Sequence, residues 1–568
     1  MITLKEYDFN NNISTKLKKE KHGTNWPVVY ILNNKEEAYI GETTDISIRS
    51  NQHLAKEIRK KLMKINIITD ETFNKSVILD LESFLIKYMS ADKTFKLQNS
   101  NGGMQNHNYY QREEYEKKFK EIWKKLKTKG LVKNALREIE NSDLFKFSPY
   151  KSLTADQYMI VNEILNVLAK NIEAKQNTTF IIHGGAGTGK TVLGIYLLKL
   201  ISQAKESEHY EIEEDQVEQN LYDILKINET VEDLRIGLVI PMENLRGTLK
   251  KVFKYIKGLN SNMVLSPNDV AKNNQIYDLL IVDEAHRLRQ RKNLSSAKQY
   301  NTFKLNNIKL GLDENEGTEL DWILKKSKYQ IFFYDEKQTI KPTDVRQEKF
   351  IELEKNSKCY SYQLKTQLRC ILGGEKYVEY IKRIFSNNPP SKKESFKKYD
   401  IKLFDNIIDL IAEIKKKNKE LGLCRTIAGY AWPWNSKGAK AKNINYLNTY
   451  DINIDGQKYI WNTSTSDWVN SPNSINEIGS IHTIQGFDLN YAGIIIGNDL
   501  KYDSINNKLY ADRNNYYDKN GKNTASEEEL LEYILNIYST MCTRGMLGTY
   551  IYVCNKELKK YLSKYINR

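Results

Sequence analysis

Residues 179–200 read TFIIHGGAGTGKTVLGIYLLKL, which places a glycine-rich turn between an apolar run and an apolar helix. The turn has the spacing G-x-x-x-x-G-K-T of a phosphate-binding loop. Backbone N–H groups exposed by the glycines wrap phosphates, Lys190 reaches the β- and γ-phosphates, and Thr191 holds Mg²⁺. The predicted ATP-binding residues of the loop are Gly184, Gly185, Ala186, Gly187, Thr188, Gly189, Lys190 and Thr191.

A second apolar run, residues 279–282, ends in the carboxylates Asp283 and Glu284. At the C-terminal end of a buried strand, Asp283 is placed to hold Mg²⁺ through water and Glu284 to polarise an attacking water. A loop that only bound nucleotide would not need Glu284, so the pair predicts ATP hydrolysis. Gln157, ahead of the loop, has an amide that offers both a donor and an acceptor to an adenine edge.

Further short apolar runs alternate with helical segments, as at residues 236–240 and 492–496. This alternation predicts an α/β fold with parallel sheets, which we divide into a first lobe at 149–345 and a second lobe at 346–568. An acidic insert near residues 206–233 interrupts the first lobe. We expect a solvated helical insertion there, with an acidic gate over a basic channel as the alternative.

Further motifs along the chain are TADQ at 154–157, YDEKQ at 334–338, QLR at 367–369, HTIQGF at 482–487 and TRG at 543–545. Their order, together with the phosphate loop and the carboxylate pair, resembles a superfamily 1 helicase, and specifically a schlafen-type helicase-like domain, over roughly residues 149–568. By this resemblance Gln157 contacts adenine, Gln338 senses the γ-phosphate, and Gly486 lies at the nucleotide. Arg369 and Arg544 then reach from the second lobe to the phosphoryl group, whose spreading charge a planar cation stabilises.

The N-terminal part begins with VVYILNNKEEAYIG at 28–41, two β-rich runs around a polar turn that predict a hairpin. Downstream, Glu82 lies in an otherwise apolar helical segment, where a carboxylate is costly without a partner or a metal such as Mg²⁺. Arg49 is suited to hold a phosphate, and His53 follows one helical turn later on the same face.

These residues occur in the order of a GIY-YIG nuclease, which residues 26–108 resemble, with Val28 where the name-giving glycine would stand. The resemblance implies a small α/β endonuclease module using Mg²⁺ or Mn²⁺. The implied catalytic residues are Tyr30, Tyr39, Arg49, His53, Glu82 and Asn99. Asn101 is an alternative to Asn99, and the general base stays open among Tyr30, Tyr39 and His53.

The chain has 568 residues, and 87 Lys and Arg against 72 Asp and Glu give a net charge of +15. This length predicts several folding units, and we assign residues 1–25 to an N-terminal extension and 109–148 to a basic helical connector. The excess of positive charge favours a polyanionic partner, although AT-rich coding accounts for such a composition equally well.

With no run of about 18 apolar residues and no signal peptide, we expect a cytoplasmic chain without membrane contact. Five scattered cysteines favour reduced thiols over disulfides or zinc.

The favoured hypothesis is an ATP-dependent nucleic-acid motor coupled to a Mg²⁺-dependent endonuclease that cleaves DNA, in defence against phage or plasmid DNA. DNA is preferred over RNA because it is the usual substrate of the GIY-YIG family. Two alternatives stay open: an ATPase switch whose N-terminal module binds DNA without cutting it, and an RNA-directed enzyme. Oligomeric state, partner subunits and the effect of ATP on cutting are also open.

Overall fold

The structure is a computed structural model that describes residues 1–99, 109–151, 153–203, 219–231, 234–338, 343–368, 370, 373–396, 398–436, 449–464, 467–484, 487–518, 522 and 525–568. The chain divides into two compact units. The first contains Met1–Thr154 with Ile195–Glu211 and Leu249–Ser261, and the second contains the remaining residues from Ala155 to Arg568. Both are built from helices and sheets, which confirms the predicted α/β class.

The first unit has a five-stranded sheet in the order β1-β4-β2-β3-β5, antiparallel except for the β3–β5 pair. Its strands are β1 (Thr3–Asp8), β2 (Val28–Asn33), β3 (Glu37–Thr43), β4 (Lys64–Thr69) and β5 (Lys96–Leu97). Its helices are α1 (Ile13–Leu17), α2 (Ile46–Leu54), α3 (Lys75–Asp92), α4 (Arg112–Thr128), α5 (Leu136–Asn141) and α6 (Asp143–Lys146). The central strand β2 is buried along its whole length.

Local sequence explains where several of these elements begin. The predicted hairpin is β2–β3, and the Asn34 side chain accepts the backbone N–H groups of Glu36 and Glu37 to close its turn. Asp45 caps α2 and Asn74 caps α3, each accepting the N–H three residues on. These short polar residues therefore start the two helices that carry Arg49, His53 and Glu82.

The structure differs from the predicted boundaries of this unit. Residues 1–25, expected to be an extension, supply α1 and the edge strand β1. The expected connector is bonded to the same unit, because Lys125 on α4 and Lys129, directly after it, donate to the carbonyls of Ile2 and Leu4. The sequence pattern shows that α4 has an apolar face but not what covers it, and pairing of β1 with β4 is a contact between distant segments.

The second unit contains two parallel sheets, and the first has the order β11-β6-β10-β9-β7-β8. Its strands are β6 (Thr178–Gly184), β7 (Ile236–Val239), β8 (Val264–Leu265), β9 (Tyr277–Val282), β10 (Ser327–Tyr334) and β11 (Cys359–Leu364). The helices between residues 155 and 354 are α7 (Ala155–Glu173), α8 (Lys190–Gln203), α9 (Gln219–Thr230), α10 (Glu243–Phe253), α11 (Pro267–Lys272), α12 (Ala297–Lys309), α13 (Glu319–Lys326) and α14 (Gln347–Glu354), of which α8 and α10 each lie partly in the first unit. Because β11 pairs with β6, this lobe extends beyond the predicted boundary at 345.

The second parallel sheet has the order β12-β20-β17-β13-β16. The strands of this lobe are β12 (Asp400–Phe404), β13 (Arg425–Ala428), β14 (Ile452–Ile454), β15 (Gln457–Tyr459), β16 (Ile478–Ser480), β17 (Leu489–Ile496), β18 (Leu500–Asp503), β19 (Lys508–Ala511) and β20 (Gly545–Val553). Its helices are α15 (Gly374–Ile384), α16 (Ile407–Leu421), α17 (Ile481–Ile484), α18 (Glu527–Cys542) and α19 (Lys556–Ser563). The pairs β14–β15 and β18–β19 form two small antiparallel sheets.

Three further expectations concern the insert, the cysteines and membranes. The C-terminal part of the expected acidic insert is the helix α9, whereas residues 204–218 and 232–233 lie outside the described residues, so the gate stays untested. All five cysteines are free thiols. Among the described helices, none has the length and apolar character needed to cross a membrane.

Candidate nucleotide and nuclease sites

The phosphate loop lies between the end of β6 at Gly184 and the start of α8 at Lys190. Gly187 and Gly189 have φ angles of +84° and +81°, a region that L side chains rarely adopt. A Cβ atom on Gly189 would also lie 2.6 Å from Nε2 of Gln157. Glycine is therefore required at position 189 by both backbone conformation and space.

We expect Gly189→Ala to reduce ATP affinity by at least about tenfold and to destabilise the protein by about 1–2 kcal/mol, because alanine strains the left-handed backbone and meets Gln157. Gly311→Ala is the matched control, since Gly311 has a φ of +64° but open space around its Cβ position. Titration with ATP and thermal melting should show lowered stability in both variants and lowered affinity only in Gly189→Ala. Equal ATP affinity in the two variants would contradict the assignment of Gly189 to an ATP-binding loop.

Lys190 is folded over its own loop. Its Nζ donates to the carbonyl oxygens of Gly184 at 2.5 Å and Gly185 at 3.0 Å, and it lies 3.7 Å from the Asp335 carboxylate. Only 6% of the side chain is exposed. The ammonium is thus held at the mouth of the loop, where phosphate oxygens are better acceptors for it than neutral carbonyls.

The residues predicted to hold Mg²⁺ meet in the structure. Thr191 Oγ1 donates to Asp283 Oδ2 at 2.6 Å. The other carboxylate oxygen, Oδ1, is buried and has no hydrogen-bond partner within the described part of the chain. An unsatisfied buried carboxylate oxygen beside a hydroxyl fits a hydrated Mg²⁺, which prefers oxygen ligands and keeps several waters.

Glu284 lies next to Asp283 with φ +51°, a conformation that is rare for residues other than glycine. Its carboxylate is 2.9 Å from Nε2 of His286. Burial acts to raise the pKa of Glu284, but the adjacent His286 and the charges of Lys190 and Arg544 outweigh it, so that pKa is lowered. Burial and then repulsion from Glu284 raise the pKa of Asp283. The positive groups around Glu284 favour its carboxylate form, which suits the role of polarising water.

Arg544 precedes β20 in the second lobe, is 2% exposed, and is close enough for its charge to act on Glu284. The structure therefore brings one of the two predicted arginines near Glu284. Arg369 and Gly486, the other residues predicted for this region, lie outside the described residues.

The sequence did not single out Asp335, which links two predicted residues. Gln338 Nε2 donates to Asp335 Oδ2 at 2.5 Å, and the same carboxylate faces Lys190. Asp335 directly follows β10, which is the parallel neighbour of β6. Its position at the carboxyl end of that strand is the signal that would have found it.

The loop is also held from α7 and from the segment after β11. Gln157, predicted to contact adenine, donates Nε2 to the carbonyl of Thr188 at 2.9 Å and so supports the loop. Gln367 Nε2 donates to the carbonyl of Ala186, and the Leu368 N–H donates to that of Gly187, both at 2.7 Å. Sequence reasoning missed the contacts of Gln367 and Leu368, because nothing local indicates that their segment returns to the loop.

In the first unit, Tyr30 and His53 form a buried pair. The Tyr30 hydroxyl is 2.7 Å from His53 Nε2, and Arg49 Nε donates to the same hydroxyl at 3.4 Å. Burial, followed by the charges of Arg49, Arg59 and Lys56, lowers the pKa of His53 to about 2. Burial also raises the pKa of Tyr30 well above its ordinary value. A neutral imidazole thus faces a protonated phenol, an arrangement in which the Tyr30 hydroxyl can donate a hydrogen bond to Nε2.

The other predicted residues gather around this pair. The Tyr39 ring centroid lies 5.1 Å from that of His53 and 6.3 Å from that of Tyr30. Glu82 on α3 is near enough for its negative charge to act on Tyr30. Asn99 is different, because its amide accepts the Ile40 N–H at 3.0 Å and donates to the Ile40 carbonyl at 2.8 Å. The Asn99 side chain therefore bonds to the backbone of β3, and Asn101 lies outside the described residues.

The buried neutral His53 predicts a specific dependence of stability on pH. Its pKa is depressed in the folded state, so below about pH 6.5 the unfolded chain takes up a proton that the folded chain does not. Stability is therefore full above pH 6.5 and falls by up to about 1.4 kcal/mol per pH unit below it. Thermal melting between pH 7.5 and 5.0 should show a shallower pH dependence for His53→Gln than for the wild type. Identical slopes would contradict a depressed pKa.

The fold and this geometry define a two-lobed P-loop ATPase of the helicase type. Residues 177–555 match the family of the Schlafen group 3 DNA/RNA helicase domain. That match covers more than half of the chain, and the chain belongs to this family.

Individual proteins that resemble this chain have low sequence identity to it. The uncharacterized protein YPL245W of Saccharomyces cerevisiae is 26% identical over 452 residues, which cover 72% of this chain and 90% of that protein. An arterivirus nonstructural protein 10 helicase in complex with DNA is 11% identical with a TM-score of 0.26, covering 70% of this chain and 65% of its own. The chain thus spans slightly less than two thirds of that protein.

Two further solved structures cover more of their own length. The Bacteroides Pif1 helicase in complex with ADP-AlF3 and ssDNA is 10% identical with a TM-score of 0.26, covering 71% of this chain and 92% of its own. Dbp5 of S. cerevisiae bound to RNA and ADP BeF3 is 11% identical with a TM-score of 0.30, covering 70% and 89%.

Proposed function

We propose that this protein is an ATP-driven nucleic-acid motor coupled to a Mg²⁺-dependent endonuclease that cleaves DNA. The observation that carries the proposal is that one chain holds two separate reactive clusters. One joins Lys190, Asp283, Glu284 and Arg544, and the other joins Tyr30, Arg49 and His53 with Glu82 nearby. The excess of positive charge on the chain is consistent with a polyanionic substrate.

In the ATPase cluster, Lys190 binds the β- and γ-phosphates and Glu284 orients the attacking water. Mg²⁺, held by Thr191 and through water by Asp283, would neutralise charge on the phosphate oxygens. Arg544 supplies a further positive charge from the second lobe. Because this charge comes from another sheet, hydrolysis depends on how the two lobes are arranged, which is the basis for coupling ATP to movement along nucleic acid.

In the nuclease cluster, Arg49 binds the phosphate to be cut, and the general base is one of Tyr30, Tyr39 and His53. The neutral His53 holds the Tyr30 hydroxyl in place through their contact of 2.7 Å. Glu82 is the residue that would hold Mg²⁺, which binds proteins through one or two carboxylates and completes its shell with phosphate oxygens and waters. The ion would supply a positive charge at the phosphate undergoing attack. We prefer DNA over RNA because the residue order resembles that of GIY-YIG nucleases.

The direct test incubates the full-length protein with supercoiled DNA, linear DNA and RNA of matched sequence, in Mg²⁺ with and without ATP. We expect nucleic-acid-stimulated ATP hydrolysis and nicking or cutting of DNA. Intact DNA together with stimulated ATPase activity would identify the non-cleaving switch instead. Preferential cutting of RNA would identify an RNA-directed enzyme.

Defence against invading DNA is the biological setting that we propose for such a pairing. Cells that express the protein should restrict plasmid transformation or phage infection, and Glu82→Gln should remove that restriction. Equal infection with and without the wild-type protein would contradict the defence role. It would not contradict ATP hydrolysis or DNA cleavage, which the purified protein tests.

A further inference from the structure

Arg59 is a buried cation beside the proposed nuclease cluster that neither the motif order nor the mechanism above uses. It ends the one-turn helix Glu57–Arg59 and is 9% exposed. Its guanidinium carbon lies 3.6 Å from the centroid of the Tyr39 ring. At this distance the planar cation stacks on the face of the ring, where the aromatic quadrupole attracts positive charge.

The guanidinium is fixed from its other side. Arg59 donates Nη1 to the side-chain oxygen of Gln98, and Gln98 donates Nε2 to Glu37 at 2.8 Å. Glu37 and Tyr39 both lie on β3, two residues apart. The chain of contacts therefore starts and ends on the same strand and encloses Arg59 between an amide and an aromatic ring.

This placement of the guanidinium affects the hydrogen bonding of Arg59 Nε. This nitrogen is buried and has no hydrogen-bond partner among the residues that the structure describes. Buried donors are nearly always satisfied, so an exception needs a physical reason. Stacking the guanidinium flat on Tyr39 and bonding one edge to Gln98 leaves the Nε edge without an acceptor. The fold therefore keeps the ring contact at the expense of a hydrogen bond.

We propose, on the basis of the endonuclease function proposed above, that Arg59 is a positioning residue that fixes the orientation of the Tyr39 ring in the nuclease centre. The ring that Arg59 covers is the one whose centroid lies 5.1 Å from that of His53. Arg59 acts through Tyr39 and not on the phosphate, because its side chain is enclosed and its Nη1 is already bonded to Gln98. Lysine cannot replace it fully, since an ammonium lacks the planar surface.

The test is a double-mutant cycle on the full-length protein, with Arg59→Met, Tyr39→Phe and the double variant. Phenylalanine keeps the ring on which Arg59 stacks and removes only the hydroxyl. We expect Arg59→Met to lower the single-turnover cleavage rate by about 10- to 100-fold, with DNA affinity changed less than about twofold. In the Tyr39→Phe background the same change should cost little more, because coupled residues are not additive.

Lys60→Met is the matched control, since it removes the same charge from the next residue, whose side chain is exposed. Arg59→Lys is the second variant in case Arg59→Met melts early, and it should lose part of the rate at near-normal stability. Additive losses in the cycle, or full activity of Arg59→Met, would overturn the role of Arg59 while leaving the nuclease in place. A wild-type protein that does not cut any nucleic acid would instead overturn the proposed function and this role together.

Discussion

Glu284→Gln is expected to reduce nucleic-acid-stimulated ATP hydrolysis by about 100- to 1000-fold, which corresponds to about 3–4 kcal/mol of transition-state stabilisation. The physical reason is that His286, Lys190 and Arg544 lower the pKa of Glu284 against the effect of burial and so favour its carboxylate form. A glutamine keeps the shape of the side chain but cannot polarise water as an anion does. ATP binding should survive, because Lys190 and the loop are untouched.

Steady-state hydrolysis and equilibrium binding of ATP measure these two effects separately. Glu336→Gln is the matched control, because Glu336 is an exposed carboxylate in the same lobe. Lys190→Ala should lose both hydrolysis and binding. A Glu284→Gln protein that hydrolyses ATP at the rate of the Glu336→Gln control would show that Glu284 does not act on water.

Glu82→Gln is expected to lower DNA cleavage by at least about 1000-fold and to leave ATP hydrolysis unchanged, because amide oxygens are much weaker Mg²⁺ ligands than carboxylates. Glu82 is also a carboxylate whose negative charge acts on Tyr30, so the substitution removes that charge from the cluster. The measurement is nicking of supercoiled plasmid in Mg²⁺, alongside ATPase activity of the same preparation.

Glu57→Gln is the control for this experiment, since Glu57 belongs to the same unit and its side chain is 81% exposed. It should cut at the wild-type rate. Full cleavage by Glu82→Gln would mean that the nuclease assignment is wrong, even if the ATPase centre behaves as predicted.

The features that sequence predicted well are those encoded over a few neighbouring residues. The phosphate loop, the pair Asp283 and Glu284, and the β2–β3 hairpin each depend on local spacing, and each occurs where its motif lies. Parallel sheets followed from the alternation of short apolar strands with helices. These patterns carry their own structural context, so a single sequence is enough to find them.

The contacts that sequence missed join distant parts of the chain. Asp335 meets Lys190, and Leu368 returns to Gly187, across more than a hundred residues each. Gln157 and Asn99 show a different limit. Both were singled out by motif order, but their amides bond to backbone groups of Thr188 and Ile40, and residue type alone does not tell which partner an amide will choose.

The extent of each unit depends on the same kind of long-range contact. Whether a lysine-rich amphipathic helix such as α4 is a free connector depends on what covers its apolar face. Here Lys125 and Lys129 donate hydrogen bonds to the carbonyls of Ile2 and Leu4, and β1 in turn pairs with β4. Neither pairing has a local signal, because β1 is separated from β4 by more than fifty residues.

The most direct test of the central claim measures plasmid cleavage by the wild type and by Lys190→Ala, each with and without ATP in Mg²⁺. If the two clusters form one coupled machine, ATP should change the cleavage rate of the wild type and leave that of Lys190→Ala unchanged, while Glu82→Gln stays inactive throughout. A wild-type protein that cuts DNA at the same rate with and without ATP would contradict coupling between the motor and the nuclease.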